Sequence, residues 1–245
     1  MIREAIETLR REQPKKQVYG SPRLTRELCD QGIRCGKNRV AGIMRDNDIR
    51  AKTKKKFRRT TDSRHNAVIA PDLLEREFTV SAPDKVYVTD ITYIWTMEGW
   101  LYLAVVLDLF SRLVVGWAMS IRITSELVVE ALNAAISSRK PEKGLIVHSD
   151  RGSQYASYDY RMLLAKHGFR QSMGGTGDCY DNAVMESFFH TLKTEWVFFE
   201  KYQTRSQAKT SLFDYVETFY NRERRHSTLN YLSPLGYEQK YAMAA

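Results

Sequence analysis

The sequence predicts an α/β protein: a mixed sheet in the order βββαβαβα, covered by helices and preceded by a small all-α domain of helix-turn-helix form. Three observations carry that reading. Residues 86–119 hold three apolar, strand-like runs whose connections are so short that the strands must lie antiparallel. Residues 125–173 then alternate helical and strand periods, which calls for crossover connections and parallel pairing. Charge, finally, divides the 245-residue chain: residues 1–66 carry 19 Lys and Arg against 8 Asp and Glu, and the remainder 19 against 21. The net charge of +9 therefore comes from the first quarter, as expected of a part that meets a polyanion.

The N-terminal elements follow in order. Ile2, Ile6 and Leu9 recur at helical spacing, giving a helix over 2–12. Gly20, Ser21 and Pro22 supply a turn, an N-cap and a proline at the first helical position, opening a helix that Gln31-Gly32 ends. A third helix from about Lys37 to Asp46 buries Val40, Ile43 and Met44 and presents Lys37, Asn38 and Arg45. Three short helices with a tight turn between the last two fit a helix-turn-helix, although any small bundle gives the same pattern. Arg50 to Arg59 adds seven basic residues and no acid (Arg50, Lys52, Lys54, Lys55, Lys56, Arg58 and Arg59), a block that repels itself unless a polyanion neutralises it.

In the larger part, strict alternation puts Val86, Val88, Asp90, Thr92 and Ile94 on one strand face. Trp100 to Leu107 is a second strand and Leu113 to Met119 a third. Ser125 to Arg139 is a helix with Leu127, Val128, Ala131, Leu132 and Ile136 as its buried stripe. Leu145 to Ser149 is a buried parallel strand, followed by a helix from about Tyr158 to His167 and a short strand near Phe169 to Met173. Two helices close the chain, the first from Asn182 to Phe198. Gly174-Gly175-Thr176-Gly177 before it is loose enough to let its entrance move.

Several function classes drop out. No apolar run approaches the roughly 18 residues of a membrane span. The N-terminus lacks the apolar stretch of a secretory signal. Cys29, Cys35 and Cys179 have neither disulfide-framework density nor zinc-ligand spacing, so reduced thiols in a cytoplasm are expected. No P-loop, dinucleotide fingerprint or nucleophile elbow is present.

Three carboxylates remain. Asp90 sits inside a strand beside valines, where an acid is costly unless a cation or a task explains it. Asp150 lies at the C-terminal end of a parallel strand, the edge at which α/β sheets bind ligands. Glu186 stands on its helix opposite Val184, Phe188 and Leu192, on the face shared with His190 and Lys193. Any one of them alone reads as a structural or solvated acid. Asp108 is the better turn cap, Glu195 reads as a solvated helix acid, and Asp178 and Asp181 as loop and cap residues. The convergence of Asp90, Asp150 and Glu186 on one sheet edge singles them out. Three oxygen ligands suit a hard divalent ion, and two such ions roughly 3.5–4 Å apart can activate an attacking oxygen and stabilise a leaving one at a phosphodiester.

Asp150 and Glu186 are separated by thirty-five residues and Lys193 follows Glu186 by seven; the words around them are HSDRGSQY, GDCYDNAVMESFFHTLKTE and the tail YNRERRHSTLNYLSP. These resemble bacterial transposases of the insertion sequence three family, with the DDE catalytic core of retroviral-integrase-like enzymes and its ribonuclease-H-like fold. Residues 1–60 resemble the helix-turn-helix that precedes that core. The resemblance implies domains at 1–49 (helix-turn-helix), 50–70 (basic linker), 71–220 (catalytic core) and 221–245 (basic tail). It also implies a DNA transposase that nicks element ends and joins the freed 3′-OH to another phosphodiester. Asp90, Asp150 and Glu186 would then be catalytic residues binding two ions of Mg²⁺, or Mn²⁺.

The partners implied are double-stranded DNA, as terminal repeats and as target, and further copies of the chain assembled on it. The family's members often act as fusions with an upstream frame that supplies a leucine zipper; with no heptad run, this chain resembles the downstream frame. A bacterial, cytoplasmic, nucleoid-associated location follows, with no membrane. Lys193 has the reach for a phosphate near the metals, His190 can contact DNA or simply pack, and Gln154 and Tyr155 follow Asp150 closely enough to touch the strand. Arg222, Arg224, Arg225 and His226 form a second basic cluster that could steer DNA or cap the core. A nuclease or resolvase on the same fold would use the same acids without joining strands, and a repressor would need only the basic N-terminal part.

Overall fold

Amphipathic spacing builds the first three helices where the sequence expects them. α1 (Ile2–Glu12) buries Ile2, Ile6 and Leu9, α2 (Ser21–Asp30) buries Leu24 and Leu28, and α3 (Lys37–Asp46) buries Val40 and Met44. Gly20, not Ser21, takes the N-cap position of α2, with Pro22 in its first turn. This computed structural model describes residues 1–53, 69–75, 77–174 and 182–243. The basic residues Lys54, Lys55, Lys56, Arg58 and Arg59, and the loop with Gly175, Asp178, Cys179 and Asp181, lie outside the described residues.

The sheet has five strands: β1 (Val86–Thr96), β2 (Gly99–Asp108), β3 (Val114–Ser120), β4 (Ile146–Ser149) and β5 (Arg170–Met173). Their spatial order is β3-β2-β1-β4-β5, antiparallel across the first three and parallel from β1 through β4 to β5. α4 (Ser125–Arg139) and α5 (Tyr158–His167) provide the crossovers and cover one face, packing Leu127, Ala131, Leu132, Tyr160 and Leu164 on Tyr87, Ala104 and Val106. The approach is closest at Gly116 of β3, where a Cβ would come within 2.4 Å of the Ala131 carbonyl oxygen, so only glycine lets α4 settle there.

The other face carries Val86, Val88, Ile94, Leu101, Leu103, Val105 and Leu107. Against it pack α6 (Ala183–Glu195) and α7 (Arg205–Phe213), which runs on as a π-helical turn over Asp214–Tyr220. At about 1.5–3 kcal/mol for each large apolar side chain removed from water, this double-faced burial is the main source of stability.

The N-terminal bundle and the segment after Tyr220 both pack on the core. Ile6, Leu9, Tyr19 and Leu28 belong to the same apolar cluster as the sheet face. Asn221 bonds Val114 through both side-chain atoms, and α8 (Pro234–Ala242) is held by Arg139, which bridges Glu238 and Asp84. A local reading counts the arginines of this segment without their acidic partners, which lie far away along the chain.

Candidate active site

The ladder between β1 and β4 is short. It runs Val86↔Ile146, Tyr87↔Val147, Val88↔His148 and stops, while β1 continues to Thr96 paired with β2 alone. Among the described residues, no strand accompanies the outer edge of β1 beyond Val88. Because side chains alternate along strands, the next residues on the Val88/His148 face are Asp90 and Asp150. Asp90 is half-buried, and its Oδ1 accepts a hydrogen bond from the Ile91 N–H at 2.7 Å. Asp150 follows β4 directly, and its Oδ1 accepts from the Gly152 N–H at 2.9 Å. A Cβ on residue 152 would lie 3.0 Å from that same oxygen and 3.0 Å from Gln154 Oε1, so glycine keeps the carboxylate turn open.

α6 brings the third acid. Met185, Phe188, Phe189 and Leu192 are buried against the sheet, leaving Glu186 and His190 exposed and Lys193 half-buried. The Lys193 ammonium lies over the ring of Tyr93, 4.4 Å from its centroid. Alternation assigns Tyr93 to the strand face opposite Asp90, so nothing local in the sequence pairs it with Lys193; the uncovered edge of β1 lets the lysine chain lie across it.

The electrostatics tie these groups together. The Asp90 carboxyl is held well above the usual carboxylate range, first by burial and then by Asp150, with Glu186 adding to the rise. The Ile91 N–H and Lys193 oppose it. Burial lowers the Lys193 ammonium, and Asp90 counters that. Asp150, Glu186 and Lys193 thus all act on Asp90. Among the described residues, however, no three His, Cys, Asp or Glu are gathered into a finished metal cage. The fit to a divalent ion lies in the donors, hard carboxylate oxygens, and in mutual repulsion that a dication would relieve.

Other expected contacts divide. Tyr155 is corrected: it is 1% exposed, packs edge-on to Tyr160, and its hydroxyl meets Thr89 Oγ1 at 3.3 Å. It floors the acid site instead of facing a DNA strand, and burial, then Asp90 and Asp150, push its hydroxyl well above the ordinary value. Arg225 is corrected too, because its guanidinium is engaged by Glu27 and Asp30, each at 2.7 Å. Arg224 is buried against Glu195 at 2.7 Å, and Arg23 reaches the same acid at 3.0 Å, so Glu195 is a core ion-pair residue and not a solvated one. Arg222 is exposed, with its Nε donating to the Glu217 carbonyl. Lys37, Asn38 and Arg45 are exposed on α3, Arg45 beside Asp46 at 3.4 Å, and Gln154 is half-buried in the turn after Asp150. Asp108 does cap its turn, accepting from Asp84 N–H at 2.7 Å and Ser111 N–H at 2.9 Å.

Comparison with known proteins agrees with this fold. Residues 80–179 and 186–241 match models described as Integrase core domain, and residues 2–57 match one described as HTH-like domain. The chain is 46% identical over 230 residues to the "Insertion element IS600 uncharacterized 31 kDa protein" of Shigella sonnei, spanning 94% of this chain and 85% of that one. It is 47% identical over 225 residues to "Transposase InsF for insertion sequence IS3A" of Escherichia coli (strain K12), spanning 92% and 78%. Among solved structures, a chain of the simian T-cell lymphotropic virus intasome superposes with a TM-score of 0.55 at 15% identity, covering 90% of this chain and 70% of that one, which is a likeness of fold.

Proposed function

The chain belongs to the insertion sequence three family of transposases, and from that premise we propose that Asp90, Asp150 and Glu186 are the acids with which it cuts and joins DNA. It is a DNA transposase with an integrase core and an HTH-like DNA-binding part. The observation that supports the assignment best is the field at the uncovered edge of β1, where Asp150 and Glu186 both raise the cost of ionising Asp90.

In this reading Asp90 and Asp150 hold a divalent ion from the rigid strand side, and Glu186 holds it from α6. The ions expected are two of Mg²⁺, or Mn²⁺; when bound, such a pair activates the attacking oxygen and stabilises the leaving one. The chain's residues position the DNA: Lys193 attracts a phosphate just outside the acids, and Gln154 and His190 border the strand's path. The exposed face of α3, with Lys37 and Asn38, meets the duplex. The first reaction frees a 3′-OH at the element end, and the second directs that hydroxyl at another phosphodiester. We also expect copies of the chain to assemble on the two element ends, either fused to or beside the upstream-frame product.

The test is purified protein with labelled element ends and Mg²⁺, scoring nicking and joining separately. Asp90→Asn, Asp150→Asn and Glu186→Gln should each abolish both while sparing DNA binding. Near-normal turnover in one variant removes that residue from the site. Nicking with no joining, even of pre-cut ends, favours a nuclease or resolvase.

A further inference from the structure

A cavity of about 360 Å³ lies against α6 on a flank that the acid site does not use. Ser187 and Thr191 of α6 line it, and Ser187 is one residue, about 100°, round the helix from Glu186. The opposite walls come from elsewhere: Arg23 from α2, Arg112 from the turn between β2 and β3, and Arg224 and Thr228 from the C-terminal segment. The cavity therefore touches the helix-turn-helix part, the catalytic helix and the C-terminal segment at once.

Arg112 is the anomaly. Its Nη1 is buried with no hydrogen-bond partner, and its Nη2 makes one long contact, 3.5 Å to the Phe78 carbonyl oxygen. A buried donor left unmade is costly, and a charged one more so. Its backbone is also left-handed, with φ 61, a conformation that turns ordinarily give to glycine or asparagine. An arginine thus stands where glycine would sit more easily, with a donor that nothing among the described residues uses.

The surroundings are cationic. Arg23 and Arg224 share one acid, Glu195, and Asp108 acts on Arg112, so among the described residues three guanidinium groups bordering the cavity answer to two carboxylates. His226, also in its wall, senses the imbalance: burial first, then Arg224, Arg23 and Arg112, hold its ring well below the usual imidazole range. A guanidinium fork, flanking hydroxyls and surplus positive charge are the chemistry of phosphate recognition.

We propose that this cavity binds a phosphate group, a phosphodiester of the DNA, with the Arg112 guanidinium of its wall turning Nη1 out of its buried position to donate, and the Ser187 and Thr191 hydroxyls beside it. The DNA assignment rests on the transposase reading; the phosphate chemistry does not. A phosphodiester held there ties the duplex to α2 and to the helix carrying Glu186 in one contact.

The experiment uses the full chain with two probes, inorganic phosphate and a duplex of element-end sequence. Arg112→Gly removes the donor and eases the backbone, and Thr228→Asp places a carboxylate in the cavity from an exposed position. Phosphate should raise the Tm of the parent and leave both variants unmoved. On duplex DNA, both variants should lose affinity, and the slope of log K against log salt should fall by about one phosphate contact. Arg112→Gly should melt no lower than the parent without phosphate, which separates a binding role from a structural one. If phosphate stabilises the parent alone but the DNA slope is unchanged, the site takes a free phosphate and the DNA assignment is overturned. If phosphate shifts parent and variants equally, the proposal is wrong altogether. Nicking by the parent in the same preparation reports on the transposase reading, independently of the phosphate shift.

Discussion

Asp90 and Asp150 each stand two residues beyond Val88↔His148, the last rung of the β1–β4 ladder, Asp90 still inside β1 and Asp150 just past the end of β4. The ladder brings them side by side and then ends, so they share a field without a backbone partner between them. Two like charges fixed in this way store repulsion that a bound cation can release.

Asp90→Asn should therefore raise the melting temperature of the metal-free protein while removing activity. The Asp90 carboxyl is held above its ordinary value, so ionising it costs the folded state, and that cost grows as pH rises above the usual carboxylate range. The variant should gain a few degrees near neutral pH, since about 1 kcal/mol moves the Tm of a chain this size by roughly 2–4 °C. Mg²⁺ should stabilise the parent more than the variant. Melting curves with and without Mg²⁺ decide it, and an identical Mg²⁺ shift in both proteins takes Asp90 out of the site.

Lys193→Ala should weaken binding of end DNA and joining without changing the Mg²⁺ requirement. Its ammonium is held by the Tyr93 ring and by the field of Asp90, at the border of the acids and not among them. Lys193→Arg should keep much of the function, because a guanidinium also lies well on an aromatic ring and keeps the charge. Affinity measurements and Mg²⁺ titrations of both variants check this; parent-like behaviour of the alanine variant makes Lys193 a mere surface residue.

Acid should unfold the protein in two phases. The His226 ring is held well below its ordinary value of 6.5, so unfolding takes up a proton and stability drops as pH falls below about 6.5. Glu195 is held below the usual carboxylate value despite its burial, by Arg224 and then Arg23, so a second loss follows as pH falls through the carboxylate range. His226→Asn should flatten the first phase and leave the second. Denaturant midpoints measured across pH would show a parent-like profile in His226→Asn if the reading is mistaken.

Glu195→Ala should cost about 3–5 kcal/mol, because it leaves Arg224 buried without its partner. Arg23→Ala should cost much less, since that side chain is about a quarter exposed at 24% and can lose the pair to water. Urea unfolding of both variants measures the difference, and equal costs would mean that burial of Arg224 is not what makes the pair matter.

The sheet, the helices and the three acids were legible because each leaves a local trace: a period of two or 3.6, a turn, an acid on an apolar strand. Burial of a polar-tipped ring leaves none, so Tyr155 read as a DNA contact although its whole body fills the core. Ion pairs across long sequence separations leave none either. Arg225 meets Glu27 across 198 residues, and Arg224 meets Glu195 across 29, so a count of basic residues has no means of telling core clasps from a DNA-facing cluster. Arg112 was invisible for a different reason: its oddity lies in φ and in an unused donor, neither of which composition records.

The docking of the N-terminal bundle limits how this enzyme could be given a new address. Tyr19 accepts the Arg225 N–H and donates to the Glu223 carbonyl, while Lys15 holds Asp214 and Glu27 joins Lys16 to Arg225. A foreign DNA-reading head fused at the linker would lack this socket and would leave Arg225 and Asp214 without the partners they have here. The interchangeable part is smaller than a domain: the outward side of α3, where Lys37, Asn38, Arg39 and Arg45 are exposed, can be rewritten while the frame beneath it stays in place.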